Sequence, residues 1–163
     1  MFLAKVIGHV VASQKAPEFQ GMKLLLIQGA NMEHLGRRLP ELYGTTTAKE
    51  LDSIVRRRAR DLGIELQILY TNTEGEAVSA IYKAERGGID GIVYNPAGFL
   101  HAGHALRDCL KSIQAPAIEV HITNIEKRGV VSVTADAAIG MIAGFGIGSY
   151  LLALDALVAR LGG

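Results

Sequence analysis

The sequence predicts an α/β protein built on one doubly wound parallel sheet. Apolar runs of strand length alternate with amphipathic segments of helix length, which is typical of βαβ units. Three polar clusters, at 28–44, 95–101 and 121–124, directly follow predicted strands. Open parallel sheets bind ligands beyond the carboxyl ends of their strands, so we expect these clusters to form one site at that edge.

Length and composition favour a single domain that works in a reducing compartment. The chain has 163 residues, of which 49% are hydrophobic, so it can bury one substantial core. Its net charge is +1, with both signs interspersed, which predicts no binding to nucleic acid or to a membrane surface. The single cysteine, Cys109, excludes an internal disulfide framework. No secretory signal is evident, and we expect a cytoplasmic protein.

The first half of the domain is predicted as strand, loop, helix and strand. The apolar run 23–27 predicts a buried strand, and the loop after it, 28–44, is far longer than the usual connection of about 2–6 residues. Such long connections are typical of lids and binding loops. A helix begins near Thr47 as a possible N-cap and stops at Gly63, and a strand follows over 64–70.

The second half repeats the alternation. Thr73 and Glu76 have capping-box spacing at the start of a second helix, which is predicted to run to about residue 84. The remaining predicted elements are a strand at 91–94, a loop at 95–103, a helix with Leu106, Leu110 and Ile113 on its inner face, a strand at 116–121, an extended segment at 130–134, a last core strand at 139–145 and a closing helix at 149–161.

One segment raises the question of a membrane span. Residues 137–154 contain no charged side chain over a stretch of eighteen residues. Four glycines divide the segment into a strand-like part and a helix-like part. We therefore expect a buried strand followed by a packed helix rather than a span.

Tyr43, in the long loop, is a candidate base. A phenol with the reference pKa of about 10 is a poor base at neutral pH, but nearby guanidinium groups favour the phenolate. Arg37 and Arg38 lie close in sequence, and Arg128 can approach from another strand end. The alternative is a packed tyrosine beside solvated arginines.

Histidines and asparagines at the strand ends supply further candidates. His101 and His121 can each act as a general acid, and Asn31 and Asn95 can hydrogen-bond a substrate or enolate oxygen. Structural histidines and ordinary turn asparagines are the alternatives. His104 lies three residues after His101 and could share a metal with His121, but no carboxylate or cysteine completes the set, so we predict no metal and no cofactor.

The chain from about residue 23 to 161 resembles type II 3-dehydroquinate dehydratase, an enzyme of the shikimate pathway. The matching stretches are LLLIQGAN (24–31), LGRRLPELYG (35–44), TNTEGE (71–76), YNPAGFLHAGHALRD (94–108), PAIEVHITNIEKR (116–128) and GFGIGSYLLAL (144–154). The resemblance implies a flavodoxin-like fold with a five-stranded parallel sheet and homo-oligomers of trimers packed into dodecamers. It also implies the elimination of water from 3-dehydroquinate through an enolate, without a metal or an imine.

The same resemblance assigns roles to individual residues. Tyr43 looks like the lid tyrosine that abstracts the C2 proton, with Arg38 and Arg128 as the arginines that activate its phenol. Asn31 looks like a residue that stabilises the enolate through a water molecule.

On the opposite side, His121 looks like the acid that protonates the leaving hydroxyl, and Glu119 like the carboxylate that orients it. Asp108 looks like an acid that reaches a neighbouring subunit's site. The implied contacts to the substrate hydroxyls and carboxylate are Asn95, His101, Ile122 and Thr123.

The chain departs from the family pattern at a few positions near this site. Gln28 stands where the family usually has asparagine, Ala30 replaces a proline, and Leu39 replaces an acidic residue. An arginine expected a few residues after Arg128 is absent, and the sequence GVVSVTA (129–135) stands there instead. These departures leave open an alternative function, that of a catalytically weakened homologue or fusion acting as an oligomeric scaffold or shell-associated module.

The first residues form a separate segment. Residues 2–12 are rich in β-formers and 13–20 form a polar stretch with a proline. The stretch 1–28 resembles the start of bacterial microcompartment vertex proteins, without the remaining strands of that fold. We therefore predict an N-terminal β-hairpin-like extension over 1–22 and a flavodoxin-like domain over 23–163.

Overall fold

The computed structural model describes residues 21–162, which form a five-stranded sheet with helices on both faces. The strands are β1 (Lys23–Ala30), β2 (Glu65–Tyr70), β3 (Gly91–Ala97), β4 (Ala117–His121) and β5 (Gly140–Ala143). The helices are α1 (Pro40–Tyr43), α2 (Ala48–Leu62), α3 (Glu74–Arg86), α4 (His104–Ser112) and α5 (Gly148–Leu161). Short 3-10 turns lie at Met32–His34, Gly98–His101, Glu126–Arg128 and Ala135–Ala137.

The strand order is β2-β1-β3-β4-β5, and every neighbouring pair is parallel. This is the flavodoxin-like order, so the predicted doubly wound, five-stranded fold is confirmed. The order reverses between β1 and β3, and in such sheets the crevice at that reversal is the usual ligand site.

The two faces of β1 build two separate cores. Leu24 and Leu26 pack with α2 and α5 on one face, whereas Leu25 and Ile27 pack with α3 and α4 on the other. A strand covered on both faces needs apolar residues at successive positions, which explains why this stretch reads as a continuous apolar run.

β1 and β3 extend further than predicted, by three residues each. Gln28 lies within β1, in register with Tyr70 of β2 and Asn95 of β3, so it does not belong to the loop. Gln28 and Asn95 are polar but buried, and both hydrogen-bond to the Tyr150 hydroxyl. The polar side chains therefore continue the strands because they find buried partners.

The predicted N-cap of α2 is confirmed, and the predicted capping box of α3 is wrong. Thr47 and Glu50 form a complete capping box, with each side chain bonded to the other residue's backbone N–H. The Thr73 side chain caps nothing. Glu76 instead accepts a hydrogen bond from the Thr71 hydroxyl, five residues earlier in the chain, so its side chain does not bond to the Thr73 backbone N–H.

The last strand is not a core strand in the single chain. It is shorter than predicted and lies at the edge of the sheet, because β5 pairs only with β4. Ile139, Met141 and Phe145 are 54%, 39% and 66% exposed. The extended segment predicted at 130–134 forms no strand, and residues 133–134 lie in a turn.

The uncharged segment 137–154 divides into β5 and the start of α5, as its glycines suggested. Within residues 21–162, no helix has both the length and the apolar character needed to cross a membrane. The predicted N-terminal extension lies almost entirely outside the described residues.

Candidate active site

A cavity of about 300 Å³ opens at the carboxyl edge of the sheet. Its polar lining residues are Asn31, Arg38, Tyr43, Asn95, His101, His121, Thr123 and Arg128. Its apolar walls include Met32, Leu35, Leu100, Ile122, Ile125 and Val130. These residues lie at or after the carboxyl ends of β1, β3 and β4, so the three polar clusters seen in the sequence meet in one place.

The end of β1 brings Asn31 to the cavity through a tight approach to β3. A side chain at Gly29 would place its Cβ only 2.1 Å from the Pro96 carbonyl oxygen, so only glycine fits there. Asn31 then adopts a left-handed conformation with φ 77°, and its backbone N–H donates to Asn72 Oδ1 at 2.8 Å. Asparagine tolerates this conformation better than most residues, which explains its use at the turn.

The segment between β1 and α2 folds over the cavity and carries Arg38 and Tyr43. Leu39 has φ 44° in the left-handed region, which costs about 1–2 kcal/mol for a residue with a side chain. Pro40 follows as the first residue of α1, a favoured position for proline. The strained turn places Arg38 before α1 and Tyr43 at its end, and both line the cavity.

Arg128 connects the segment that carries Tyr43 to the end of β4. Its guanidinium carbon lies 5.7 Å from the centre of the Tyr43 ring, within the range of a cation–π contact. Its Nη1 also donates to Thr123 Oγ1 at 3.0 Å. Thr123 accepts this bond, so its own hydroxyl hydrogen is available to another acceptor.

His121 is held from behind by a buried carboxylate. Its Nε2 lies 2.6 Å from Glu119 Oε1, and Glu119 is fully buried. The other carboxylate oxygen accepts the Thr134 hydroxyl at 2.7 Å, and Thr134 in turn lies 3.0 Å from the Ser132 hydroxyl. Burial alone would raise the pKa of Glu119, but the hydrogen bonds from His121 and the neighbouring hydroxyls outweigh it and lower that pKa.

The end of β3 carries Asn95 and His101. Asn95 Oδ1 accepts the Ala97 backbone N–H at 2.9 Å, while Nδ2 donates to the Tyr150 hydroxyl at 2.7 Å. Ala97 itself has φ 47°, a further strained turn beside the cavity. The 3-10 turn that follows ends at His101, which is exposed along the cavity wall.

The lining is positively charged and suits a small anion. Two arginines and two histidines face the cavity, and no aspartate or glutamate of the described chain is among the lining residues. A volume of about 300 Å³ lies at the small end of the range for small-molecule sites.

Some of the residues singled out in the sequence lie elsewhere. Asp108 is exposed on α4 and does not line the cavity of its own chain. Arg37 and His104 are also absent from the lining. Across residues 21–162, no three histidine, cysteine or acidic side chains are grouped so that they could hold a metal.

Several supporting residues escaped sequence reasoning. Thr134 and Ser132 hold Glu119, Asn72 holds the Asn31 backbone, and Tyr150 holds Asn95. Only Tyr150 left a signal, since a tyrosine inside an apolar helix needs a partner for its hydroxyl.

Comparison with known proteins identifies the family. Residues 22–158 match the model of class II dehydroquinases. The chain is 44% identical to the 3-dehydroquinate dehydratase of Synechocystis sp. over 144 residues, which cover 86% of this chain and 94% of that protein. The enzyme of the same name from Geotalea daltonii is 44% identical over 139 residues, covering 83% and 96%.

A solved structure agrees with these sequence relatives. The type II dehydroquinase from Propionibacterium acnes superimposes with a TM-score of 0.81 at 36% identity, covering 86% of this chain and 98% of that chain. The family match, the curated relatives and the superposed fold all span the same domain. The chain therefore belongs to the class II dehydroquinase family.

Proposed function

We propose that this protein removes water from 3-dehydroquinate to give 3-dehydroshikimate through an enolate. Two relatives at 44% identity carry the name 3-dehydroquinate dehydratase. The observation that carries the proposal is the meeting of Tyr43 and His121 in one small cationic cavity. The elimination needs a base at C2 and an acid at the leaving hydroxyl, and these two side chains supply both.

Tyr43 acts as the base. Its phenolate removes the C2 proton, and the electron pair left behind forms an enolate with the adjacent carbonyl. The guanidinium groups of Arg38 and Arg128 favour the phenolate, since an opposite charge nearby stabilises an anion. The contact of Arg128 with the Tyr43 ring supports this role. Asn31, held at the turn after β1, stabilises the enolate oxygen through a water molecule.

His121 acts as the acid. It donates a proton to the departing hydroxyl, which leaves as water while the enolate collapses to the conjugated enone. The hydrogen bond from one ring nitrogen to Glu119 supports this assignment, because it fixes the ring and leaves the second nitrogen for the substrate. Glu119 thus serves as a positioning residue.

The remaining lining residues bind the substrate. Asn95 and His101 contact its hydroxyl groups and the side that carries the carboxylate. Ile122 and Thr123 hold the carboxylate through backbone and hydroxyl donors. The bond from Arg128 to Thr123 supports this last role because it orients the Thr123 hydroxyl at the cavity wall.

We also propose a homo-oligomer of trimers packed into dodecamers, in which Asp108 reaches the site of a neighbouring copy. The exposure of Asp108 outside its own cavity supports a role in another subunit. The apolar surface at the β5 edge supports self-association, since monomers rarely expose such patches. A cytoplasmic location remains part of the same proposal.

Residues 1–22 are proposed to form an appended β extension to the domain 23–163. The family match starts at residue 22, which supports a boundary there. Light scattering on a chain lacking residues 1–22 tests any role in assembly. An unchanged number of copies in the particle would rule out a role for this segment in assembly.

The direct test is turnover of 3-dehydroquinate, followed by the near-ultraviolet absorbance of the enone. We expect turnover by the wild type and a loss of about 10²-fold or more in Tyr43→Phe, which keeps the ring and removes the base. Tyr82→Phe serves as the matched control, because its hydroxyl lies against Ser112 and neither residue lines the cavity. A folded wild-type protein without turnover would refute the activity.

The alternative of a scaffold with weakened catalysis is not favoured. The curated relatives share the chain's whole domain and are named as enzymes. The cavity lining also keeps the side chains that the proposed reaction needs, which are Asn31, Arg38, Tyr43, His101 and His121.

A further inference from the structure

A buried line of hydrogen bonds runs from the cavity wall into the sheet. Asn95 Nδ2 lies 2.7 Å from the Tyr150 hydroxyl, and that hydroxyl lies 2.8 Å from Gln28 Oε1. All three residues are buried, at 4%, 1% and 0% exposure. The line joins β3, α5 and β1, and only Asn95 among the three belongs to the cavity lining.

The direction of this line is fixed by the backbone. The Ala97 N–H can only donate, so the Asn95 atom facing it is the oxygen and the atom facing Tyr150 is the NH₂ group. The NH₂ group donates to the Tyr150 oxygen, so the hydroxyl hydrogen must go to Gln28 Oε1. Burial raises the pKa of Tyr150, which keeps that hydroxyl protonated and able to donate.

The second hydrogen of the Asn95 amide is nearly free. It is directed at Met32 Sδ, 3.6 Å away, and a thioether is a weak acceptor. Met32 and Asn95 both line the cavity. A substrate hydroxyl there can therefore replace the sulfur contact with a stronger hydrogen bond.

The side-chain amide of Gln28 is only partly satisfied by hydrogen bonds. Its Nε2 is buried and has no hydrogen-bond partner within the described residues, and an unpaired buried N–H group destabilises the folded protein. An apolar residue would avoid that cost but would leave the Tyr150 hydroxyl without an acceptor. The one hydrogen bond that the Gln28 side chain makes among the described residues is therefore the one that its carbonyl oxygen accepts from the Tyr150 hydroxyl.

We propose that Tyr150 and Gln28 are positioning residues for substrate binding, because they fix the Asn95 amide so that its second N–H meets a substrate hydroxyl. This rests on the proposed function, in which Asn95 contacts substrate. Neither residue touches substrate itself.

Tyr150→Phe tests the proposal by removing one oxygen and keeping the ring. We expect KM for 3-dehydroquinate to rise about 3- to 10-fold with kcat nearly unchanged, because one hydrogen bond made equally in ground and transition state is weakened. Gln28→Met, which keeps the length of the side chain and removes its acceptor, should raise KM to a similar extent. Tyr82→Phe should leave both constants unchanged. An unchanged KM in folded Tyr150→Phe and Gln28→Met would overturn the proposal.

A double-mutant cycle separates positioning from general loosening of the structure. If Tyr150 acts through Asn95, then Tyr150→Phe should raise KM no further in an Asn95→Ala background. An equal rise in KM in both backgrounds would mean that Tyr150 acts independently of Asn95.

Measuring substrate binding in proteins that lack the proposed base separates the test of the positioning role from the test of the enzymatic activity. Calorimetric titration of 3-dehydroquinate into Tyr43→Phe and into Tyr43→Phe/Tyr150→Phe should show about 3- to 10-fold weaker binding in the second protein. That difference would stand even if the wild type had no turnover. Equal affinity in the two proteins would refute the positioning role and leave the activity intact.

Discussion

At the scale of single residues, backbone strain concentrates around the cavity. Asn31, Leu39 and Ala97 are the non-glycine residues with positive φ in the described chain. Asn31 and Ala97 line the cavity, and Leu39 directly follows the lining residue Arg38. Strained conformations of this kind persist where surrounding structure holds them, and they are common at functional sites. The strained residues therefore lie in two segments, the β1–α2 connection and the end of β3, and both segments border the cavity.

The buried pair of Glu119 and His121 makes stability depend on pH. The pKa of Glu119 in the folded protein lies below its ordinary value of 4.5, so below that pH the unfolded chain binds more protons than the folded one. The stabilisation from Glu119 is therefore complete above about pH 4.5 and is lost as the pH falls through the folded pKa. Glu119→Gln should lower the free energy of unfolding by about 2 kcal/mol at neutral pH.

Urea unfolding of the wild type and Glu119→Gln at several values between about pH 3 and pH 7 measures this effect. The difference between the two proteins should shrink as the pH falls. Other carboxylates with lowered pKa values, such as Asp136, are common to both proteins and cancel in the comparison. A difference that stays constant over the whole range would contradict the assignment to the Glu119 carboxylate.

At the scale of elements, sequence reasoning succeeded where one local signal decided the outcome. The apolar run of β1 and the stop of α2 at Gly63 follow from hydrophobic pattern and glycine geometry. Sequence reasoning failed where a residue distant in the chain determined the local structure. Gln28 and Asn95 look like the start of loops, but Tyr150 lets both stay in strands. The pattern at β5 is apolar, yet the strand lies at an edge, and no local signal separates an edge from a core strand.

The two threonines with capping-box spacing offer a controlled test at this scale. Thr47→Ala should lower the free energy of unfolding by about 1 kcal/mol, because it removes the side-chain acceptor for the Glu50 backbone N–H. Thr73→Ala should cost much less, since the Thr73 side chain makes no capping bond. Thermal and urea unfolding measure both variants. Equal losses would show that sequence spacing, rather than the observed bonds, determines the cap.

At the scale of the whole molecule, the location of the site could be predicted from the sequence, but the residues that hold its side chains in place could not. Parallel strands present their carboxyl ends at one edge of the sheet, and this rule alone predicts that the three polar clusters meet. Tyr150 lies 55 residues from Asn95 and 122 from Gln28, and Thr134 lies 15 from Glu119. Such partners are brought together only by the packing of the complete fold, so no spacing in the sequence reveals them.

The edge of the sheet bears on how copies of the chain assemble. Ile139, Met141 and Phe145 leave apolar side chains uncovered at and beside the last strand. An open apolar edge favours unwanted pairing unless something covers it. A second copy of the chain is the cover we propose, in keeping with the proposed homo-oligomer.

Mixed oligomers test whether neighbouring copies share a site. Tyr43→Phe lacks the proposed base, and Asp108→Asn lacks the proposed acid from the neighbour, so each variant alone should be nearly inactive. When the two are unfolded, mixed in equal amounts and refolded together, about a quarter of the sites should combine an intact Tyr43 from one copy with an intact Asp108 from the next. Activity should therefore return to about that fraction of wild type. Each variant refolded alone is the control. A mixture no more active than the controls would contradict the proposal that Asp108 of one copy completes the site of its neighbour.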